Sequence, residues 1–287
     1  MRPSHGAHGR EGPLSPRLLT VTSALRSEAL EPLRANPARS AILFDIDGTL
    51  APIVDQPADA RVPESTRQLL IAVARRYGAV ACVSGRRASE ARAMVAIGTI
   101  TYLGSHGAEM LRAGWTESVL DPNLEDWVRR MHEFGREAET TDLRRRRVRV
   151  EDKGAILAFH WRGAPDEEAA RAAIDAIAAK AEAAGLRTHW GRKVLEVRPP
   201  VRIDKGAGIK SFLDGVDVDR ALYVGDDATD LDAFRALGEL VEEGHLVQAI
   251  RVGVRSEEGP VEITSDADIV VDGTKGVHDL LSMLVAD

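Results

Sequence analysis

One cysteine is all that this 287-residue chain carries, so no internal disulfide framework holds it together, and Cys82 fits a reducing compartment. It lies in the apolar run Ala79-Val80-Ala81-Cys82-Val83, a setting for a buried structural thiol rather than a reactive one. No apolar stretch reaches the ~20 residues that a membrane-spanning helix needs. An excess of positive charge is missing too. The formal net charge is −7, which argues against nucleic acid and against an anionic membrane surface as partners. Met1 to Ser15 is rich in Gly, Pro, His and Arg and lacks the hydrophobic region of a secretory signal. The expectation is a cytoplasmic chain whose residues 1–37 form an extension, first flexible and then helical. Composition sets no oligomeric state and is compatible with a monomer.

What the chain does have is concentrated in Phe44-Asp45-Ile46-Asp47-Gly48-Thr49-Leu50. It follows the strand-like run Ala41-Ile42-Leu43, so two carboxylates sit where the backbone leaves a sheet. In open α/β sheets, ligands bind at the carboxyl ends of the strands. Asp45 and Asp47 are two apart and share a side on an extended segment. Two acids facing one point repel unless a cation or a shared proton lies between them. Gly48 leaves room for a close approach to the turn. The combination suggests an Asp nucleophile, an Asp acid/base and a magnesium ion, against the plainer reading of an Asp-rich turn.

Helical spacing of Leu18, Val21, Leu25, Ala29 and Leu33 predicts an amphipathic helix before this motif, ended or kinked early by Pro32. Beyond the motif, helix and strand patterns alternate: a helix after Pro63-Glu64-Ser65, a strand over 79–83, a helix near 88–97 and a strand over 99–103. Such βα alternation predicts a parallel sheet. The pattern then changes to α–ββ–α–ββ, with strands over 148–150, 155–161, 187–190 and 194–198 and an Ala-rich helix over 166–184. From Lys205 the first pattern resumes through a strand over 221–224. The predicted fold class is α/β: a doubly wound, Rossmann-like parallel-sheet core over 38–110 and 201–287, interrupted by an α+β cap over 111–200.

Three further strand ends and helix starts carry polar residues. Ser84 follows the second strand and offers a hydroxyl to a phosphate oxygen, although Ser-Gly turns are common. Lys205 opens a helix, where an ammonium and a helix N-terminus both favour an anion; alone, it reads rather as a solvated surface lysine. Asp226, Asp227 and Asp230 cluster after the strand over 221–224, as metal ligands or as helix caps.

Taken in order, Asp-x-Asp-Gly-Thr, Ser, Lys and Gly-Asp-Asp resemble the haloacid dehalogenase-like phosphatases. Finer features resemble the trehalose-6-phosphate phosphatases among them. These are Leu43 through Ile53, Ser84-Gly85-Arg86, Gly104-Ser105-His106-Gly107-Ala108-Glu109, Glu151-Asp152-Lys153-Gly154 with His160-Trp161-Arg162, Val194-Leu195-Glu196-Val197-Arg198-Pro199, and Gly225-Asp226-Asp227-Ala228-Thr229-Asp230. The resemblance covers roughly Ala38 to Ala286. It implies Asp45 as nucleophile, Asp47 as general acid/base, and Ser84 and Lys205 as supports of the transferred phosphoryl group. It implies Mg2+ held by Asp45, the Asp47 carbonyl and Asp226, and substrate contacts from Arg86, His106, Glu109, Glu151, Lys153 and Glu196. One departure stands out: Leu231 follows Thr229-Asp230 where the family commonly has Glu. The run Arg144-Arg145-Arg146-Arg147 is expected to enter a strand as a solvated edge rather than a nucleic-acid patch.

The implied function is hydrolysis of trehalose 6-phosphate, a small-molecule sugar phosphate, through a phospho-aspartate. Two rivals stand beside it: a phosphatase acting on sucrose phosphate or a mannosyl phosphoglycerate, and a phospho-accepting signalling or regulatory module.

Overall fold

The computed structural model describes residues 23–54, 59–201, 203–256 and 259–286; the expected flexible start lies outside them. Along the chain, α1 (Ser23–Ala35), β1 (Ser40–Phe44), α2 (Glu64–Arg76), β2 (Ala79–Val83), α3 (Ala88–Val95) and β3 (Thr101–Gly104) form the first half of the core. Next come β4 (Glu109–Leu111), β5 (Val119–Leu120), α4 (Glu125–Ala138), α5 (Thr141–Arg145), β6 (Arg149–Asp152), β7 (Leu157–His160), α6 (Glu167–Ala183), β8 (Arg187–Gly191) and β9 (Val194–Arg198). The core then resumes with α7 (Lys205–Asp214), β10 (Arg220–Gly225), α8 (Asp230–Glu242), β11 (Gln248–Arg255), α9 (Val261–Ser265), β12 (Ile269–Asp272) and α10 (Gly273–Val285).

Among the described residues there are two sheets. The larger runs β12-β11-β10-β1-β2-β3-β4-β5, and its first six strands are parallel. Strand β1 is buried along its whole length and apolar after Ser40, as expected of a strand covered on both faces. Its residues alternate between two cores. Ile42 and Phe44 join Leu70 and Val73 of α2 and Leu280, Leu281 and Leu284 of α10; Ala41 and Leu43 join Ile209 and Phe212 of α7 and Phe234 and Leu237 of α8. The sheet is therefore doubly wound. The chain runs outward from β1 through β2 and β3 on one side and from β10 through β11 and β12 on the other. The switch point lies between β1 and β10, whose carboxyl ends carry Asp45 and Asp226.

The smaller sheet, β6-β7-β9-β8, is antiparallel. One face packs on α4 and α6 through Met131, Phe159, Ile174, Leu195 and Val197. Helix α6 forms as its sequence dictates. Asp166 accepts from Ala169 N at 2.9 Å, Glu167 and Glu168 sit in the first turn, and the buried residues recur with helical spacing from Ala170 to Ala181.

The structure corrects three expectations. Helix α1 runs through Pro32 to Ala35, because Leu30 and Leu33 are fully buried in the core and hold the turn that proline weakens. Strands β4 and β5 join the large sheet antiparallel, so that sheet continues to Leu120, beyond the expected boundary at 110. Arg144 and Arg145 end the short helix α5 rather than entering a strand; Arg144 pairs with Glu139 and Arg146 with Asp142. Leu231 packs against the core beside α7 and α8.

Candidate active site

Lys205 is the hub. Asp204 caps α7, accepting from Ala207 N at 2.8 Å, which places Lys205 in the first turn of that helix and directly below the end of β1. Its ammonium is 2% exposed and donates to Asp45 Oδ1 and to Asp230 Oδ1, both at 2.6 Å. Asp230 accepts on both oxygens: its Oδ1 also takes the Tyr223 hydroxyl at 2.5 Å, and its Oδ2 takes the N–H of Asp226 at 2.8 Å and of Asp227 at 2.9 Å. Asp226 is buried beside it and accepts from Thr49 Oγ1 at 3.0 Å through Oδ1. Gly48, at φ +90°, makes the crossing possible, since a Cβ there would lie 2.1 Å from Asp226 Oδ2.

Electrostatics follow from the burial. Asp45, Asp226 and Asp230 are three buried carboxylates with oxygens within 4.8 Å of one another, and Lys205 is the one ammonium bonded among them. If all ionise, two negative charges are left over. Burial pushes Asp45 well above the usual carboxylate range, with Lys205 opposing and Asp230 and Asp226 adding to it. Burial and then Asp230 raise Asp226 to about 7, against the Thr49 bond. Burial works to lower Lys205, yet Asp230 and Asp45 outweigh it and keep the ammonium charged. Among the described residues no donor reaches Asp45 Oδ2 or Asp226 Oδ2. A divalent cation fits this donor set in charge, in hard oxygen chemistry and in free oxygens.

A cleft of about 420 Å³ opens from these groups to the cap, lined by Asp45, Asp47, Ser84, Arg86, His106, Glu151, Lys153 and Lys205 among others. Asp47 is turned to Arg86, which holds both its oxygens, at 2.8 and 2.7 Å. Ser84 is buried and its Oγ accepts from Arg86 N at 3.1 Å. His106 stands in a left-handed turn, with positive φ at Ser105 (51°), His106 (58°) and Gly107 (94°). Its ring lies where a side chain on Gly85 would be, 2.8 Å from that Cβ position. Burial, then Lys205 and Arg198, hold its imidazole down to about 4. From the cap, Glu151 accepts from His160 Nε2 at 2.9 Å, and that bond draws its carboxyl down to about 2. Lys153 Nζ donates to Glu196 Oε1 at 3.3 Å.

Two residues expected at the substrate stand elsewhere. Glu109 does not line the cleft: its oxygens take Ala88 N at 2.9 Å, Ser118 Oγ at 2.6 Å and Ser105 Oγ at 3.3 Å, so it ties α3 to the turn holding His106. Glu196 is 13% exposed and spent on Lys153 and Arg198, and it reaches the cleft only through Lys153. Conversely, Asp230, Tyr223 and Thr49 belong to the site and were not singled out as site residues from sequence. Asp230 stood in the acidic cluster, and only its burial together with Lys205 separates it from a helix cap.

The family model for trehalose-phosphatase matches residues 43–273, a span that holds every residue of this site. The chain belongs to the trehalose-phosphatase family. It is 34% identical over 215 residues to a trehalose-phosphate phosphatase of Mycobacterium marinum, covering 70% of this chain and 52% of the relative. It is 29% identical over 216 residues to the probable trehalose-phosphate phosphatase D of Arabidopsis thaliana, covering 71% and 58%. The chain thus spans little more than half the length of these curated relatives. The same fold recurs in the C-terminal domain of the Candida albicans trehalose-6-phosphate phosphatase, at 21% identity and a TM-score of 0.65 over 90% of this chain and 96% of that one. It recurs in a haloacid dehalogenase-like hydrolase from Bacteroides thetaiotaomicron at 15% identity and a TM-score of 0.59, over 85% and 98%. In this chain Asp45 and Asp226 stand at adjacent strand ends, and Leu231 is half-buried against the core.

Proposed function

We propose that this chain is a magnesium-dependent phosphatase that hydrolyses trehalose 6-phosphate to trehalose and inorganic phosphate. The observation that carries the reading is the buried Lys205 bridge between Asp45 and Asp230 at the switch point of the sheet, in a chain of the trehalose-phosphatase family. In this reading residues 38–110 and 201–287, with β4 and β5 at the sheet edge, form the catalytic core, and the smaller sheet serves as a cap over the sugar.

Asp45 is the nucleophile. Lys205 holds the carboxylate through Oδ1, and the carboxylate attacks phosphorus. The phosphorus–sugar oxygen bond breaks, Asp47 gives its proton to the departing oxygen, and an aspartyl phosphate remains on Asp45. Water, deprotonated by Asp47, then attacks that phosphorus and releases phosphate with Asp45 restored. Lys205 has a third proton, and with the Ser84 hydroxyl it steadies the transferred group. Asp45 and Asp226, with the Asp47 carbonyl, would hold magnesium, which when bound would supply charge neutralisation for the phosphoryl group. Glu151 and Lys153 meet the sugar hydroxyls, with Glu196 holding Lys153 in place, and Arg86 and His106 complete the substrate contacts.

The test is phosphate release from a panel of sugar phosphates with and without magnesium, including trehalose 6-phosphate, sucrose phosphate and a mannosyl phosphoglycerate, alongside Asp45→Asn. Many turnovers on trehalose 6-phosphate, magnesium dependence and an inactive but folded Asp45→Asn are expected. Preference for another sugar phosphate would move the substrate assignment, a single turnover would favour a phospho-accepting module, and a fully active Asp45→Asn would overturn the nucleophile.

A further inference from the structure

Tyr223 has no part in the chemistry described above, yet its hydroxyl is built into the site. It stands on β10, fully buried, on the strand face that packs against Ile209 and Phe212 of α7 and Phe234 and Leu237 of α8. A phenylalanine would fill that space with the same edge-on contact to Phe234, whose ring centroid lies 6.2 Å away. A buried hydroxyl costs desolvation unless it is used. Here it is used on one atom: it donates to Asp230 Oδ1 at 2.5 Å.

That oxygen is shared. Lys205 donates to it at 2.6 Å and with another proton reaches Asp45 Oδ1 at the same distance. An ammonium between two carboxylates divides itself according to how much charge each has left to offer. With the phenol donating, Asp230 carries four donors, two on each oxygen. Without it, Oδ1 has Lys205 alone and draws the ammonium away from Asp45. The consequence falls on the attacking group, three hydrogen bonds away from the phenol.

We propose that Tyr223 is a positioning residue that acts through Asp230 to keep Lys205 on Asp45. The proposal rests on the reading of Asp45 as nucleophile and deepens it. The phenol neither touches substrate nor exchanges a proton during turnover. It remains a donor because burial and the neighbouring Asp230 raise its ionisation well above the ordinary phenol value.

Tyr223→Phe removes the hydroxyl and keeps the ring. In the magnesium-loaded enzyme, with p-nitrophenyl phosphate as the probe so that the identity of the sugar does not enter, kcat is expected to fall about tenfold, the size of one hydrogen bond to a charged group. KM should stay within about twofold and Tm close to wild type. Phe234→Leu is the control for packing: it trims the ring's neighbour while leaving the hydroxyl bond, and should lower Tm while kcat holds. A Tyr223→Phe enzyme with kcat within about twofold of wild type overturns the proposal. So does a Phe234→Leu enzyme whose kcat falls as far as that of Tyr223→Phe, because the loss then belongs to packing. Failure of the trehalose 6-phosphate assignment is separate, since it leaves wild-type hydrolysis of the aryl phosphate intact. Absence of all phosphatase activity in wild type overturns both.

Discussion

Arg86 grips Asp47 with two parallel bonds, Nε on Oδ2 and a terminal nitrogen on Oδ1. A bidentate pair of this kind fixes the carboxylate in one orientation. The proposed acid/base has to meet the sugar oxygen as the sugar leaves, so the pair has to open during turnover, and the entering phosphate dianion is the natural competitor for Arg86. Arg86→Ala is expected to weaken substrate binding, raising KM roughly tenfold, and to lower kcat because Asp47 loses its anchor. A raised KM with an unchanged kcat would restrict Arg86 to phosphate binding.

Magnesium affinity should depend on pH with a definite sign. Burial, then Asp230, raise Asp226 to about 7, so below neutrality the cation competes with a proton. Its apparent Kd should fall up to about tenfold per pH unit from pH 6 to 7 and level off above about 8. Calorimetric titration at pH 6, 7 and 8 checks this, together with proton release on binding in buffers of different ionisation enthalpy. Without the cation the sign for stability is opposite. A carboxyl raised on folding binds more protons folded than unfolded, so apo stability should decline as pH rises from about 4 to 7.

His106 gives a second pH signature. Its imidazole is held down to about 4 by burial, then by Lys205 and Arg198, with Glu196 opposing. Between that value and an unfolded pKa of about 6.5, the unfolded chain binds the extra proton. Its contribution to stability is complete above 6.5 and is lost as pH falls toward 4. Comparing Tm across pH 4.5 to 7 for wild type and His106→Gln should show a shallower acid decline in the variant. Parallel declines would remove His106 from the account.

Gly48→Ala should be among the most damaging single changes in the chain. It forces a Cβ to 2.1 Å from Asp226 Oδ2 at a φ of +90°, and the backbone penalty alone is about 1–3 kcal/mol. Loss of magnesium binding together with a lowered Tm is expected. A variant with normal metal titration would mean that Asp226 has another place to go.

The cap residues separate substrate recognition from chemistry. Lys153→Ala should lower kcat/KM on trehalose 6-phosphate by about ten- to a hundredfold, as for a lost bond to a charged group, and leave p-nitrophenyl phosphate within about threefold. Remote contacts of this sort align the reacting phosphate as well as bind it. Equal losses on both substrates would make Lys153 structural.

Sequence reading placed Asp45, Ser84 and Asp226 where the structure has them because parallel strands end in polar turns, and each sits at such an end after an apolar run. It gave the cap's strand pairs for the same reason, since Val194 to Arg198 alternates and the Asp152-Lys153-Gly154 turn separates two such runs. What stayed hidden is pairing across long separations. Nothing local distinguishes Arg86 as the partner of Asp47, 39 residues away, or shows that Glu109 spends its oxygens on Ala88 N and Ser118. Strands β4 and β5 were missed because three and two residues are too few for any period to register. Helix α1 outlasts Pro32 because tertiary burial of Leu30 and Leu33 overrides a local penalty.

Strands β1 and β10 lie side by side, yet Thr49 and Asp226, which meet across their ends, are 177 residues apart in the chain. At about 5–20 residues per second, roughly 9 to 35 seconds of synthesis separate the two. Throughout that interval β1, apolar from Ala41 to Phe44, has its β10 edge unpaired, the kind of edge that seeks any available partner. The smaller sheet is made in the meantime and has its own buried core, so it can fold while the larger sheet waits for its centre. Aggregation of this protein during expression should therefore respond to the residues of β1 and to translation speed through the intervening segment, far more than to the cap's surface.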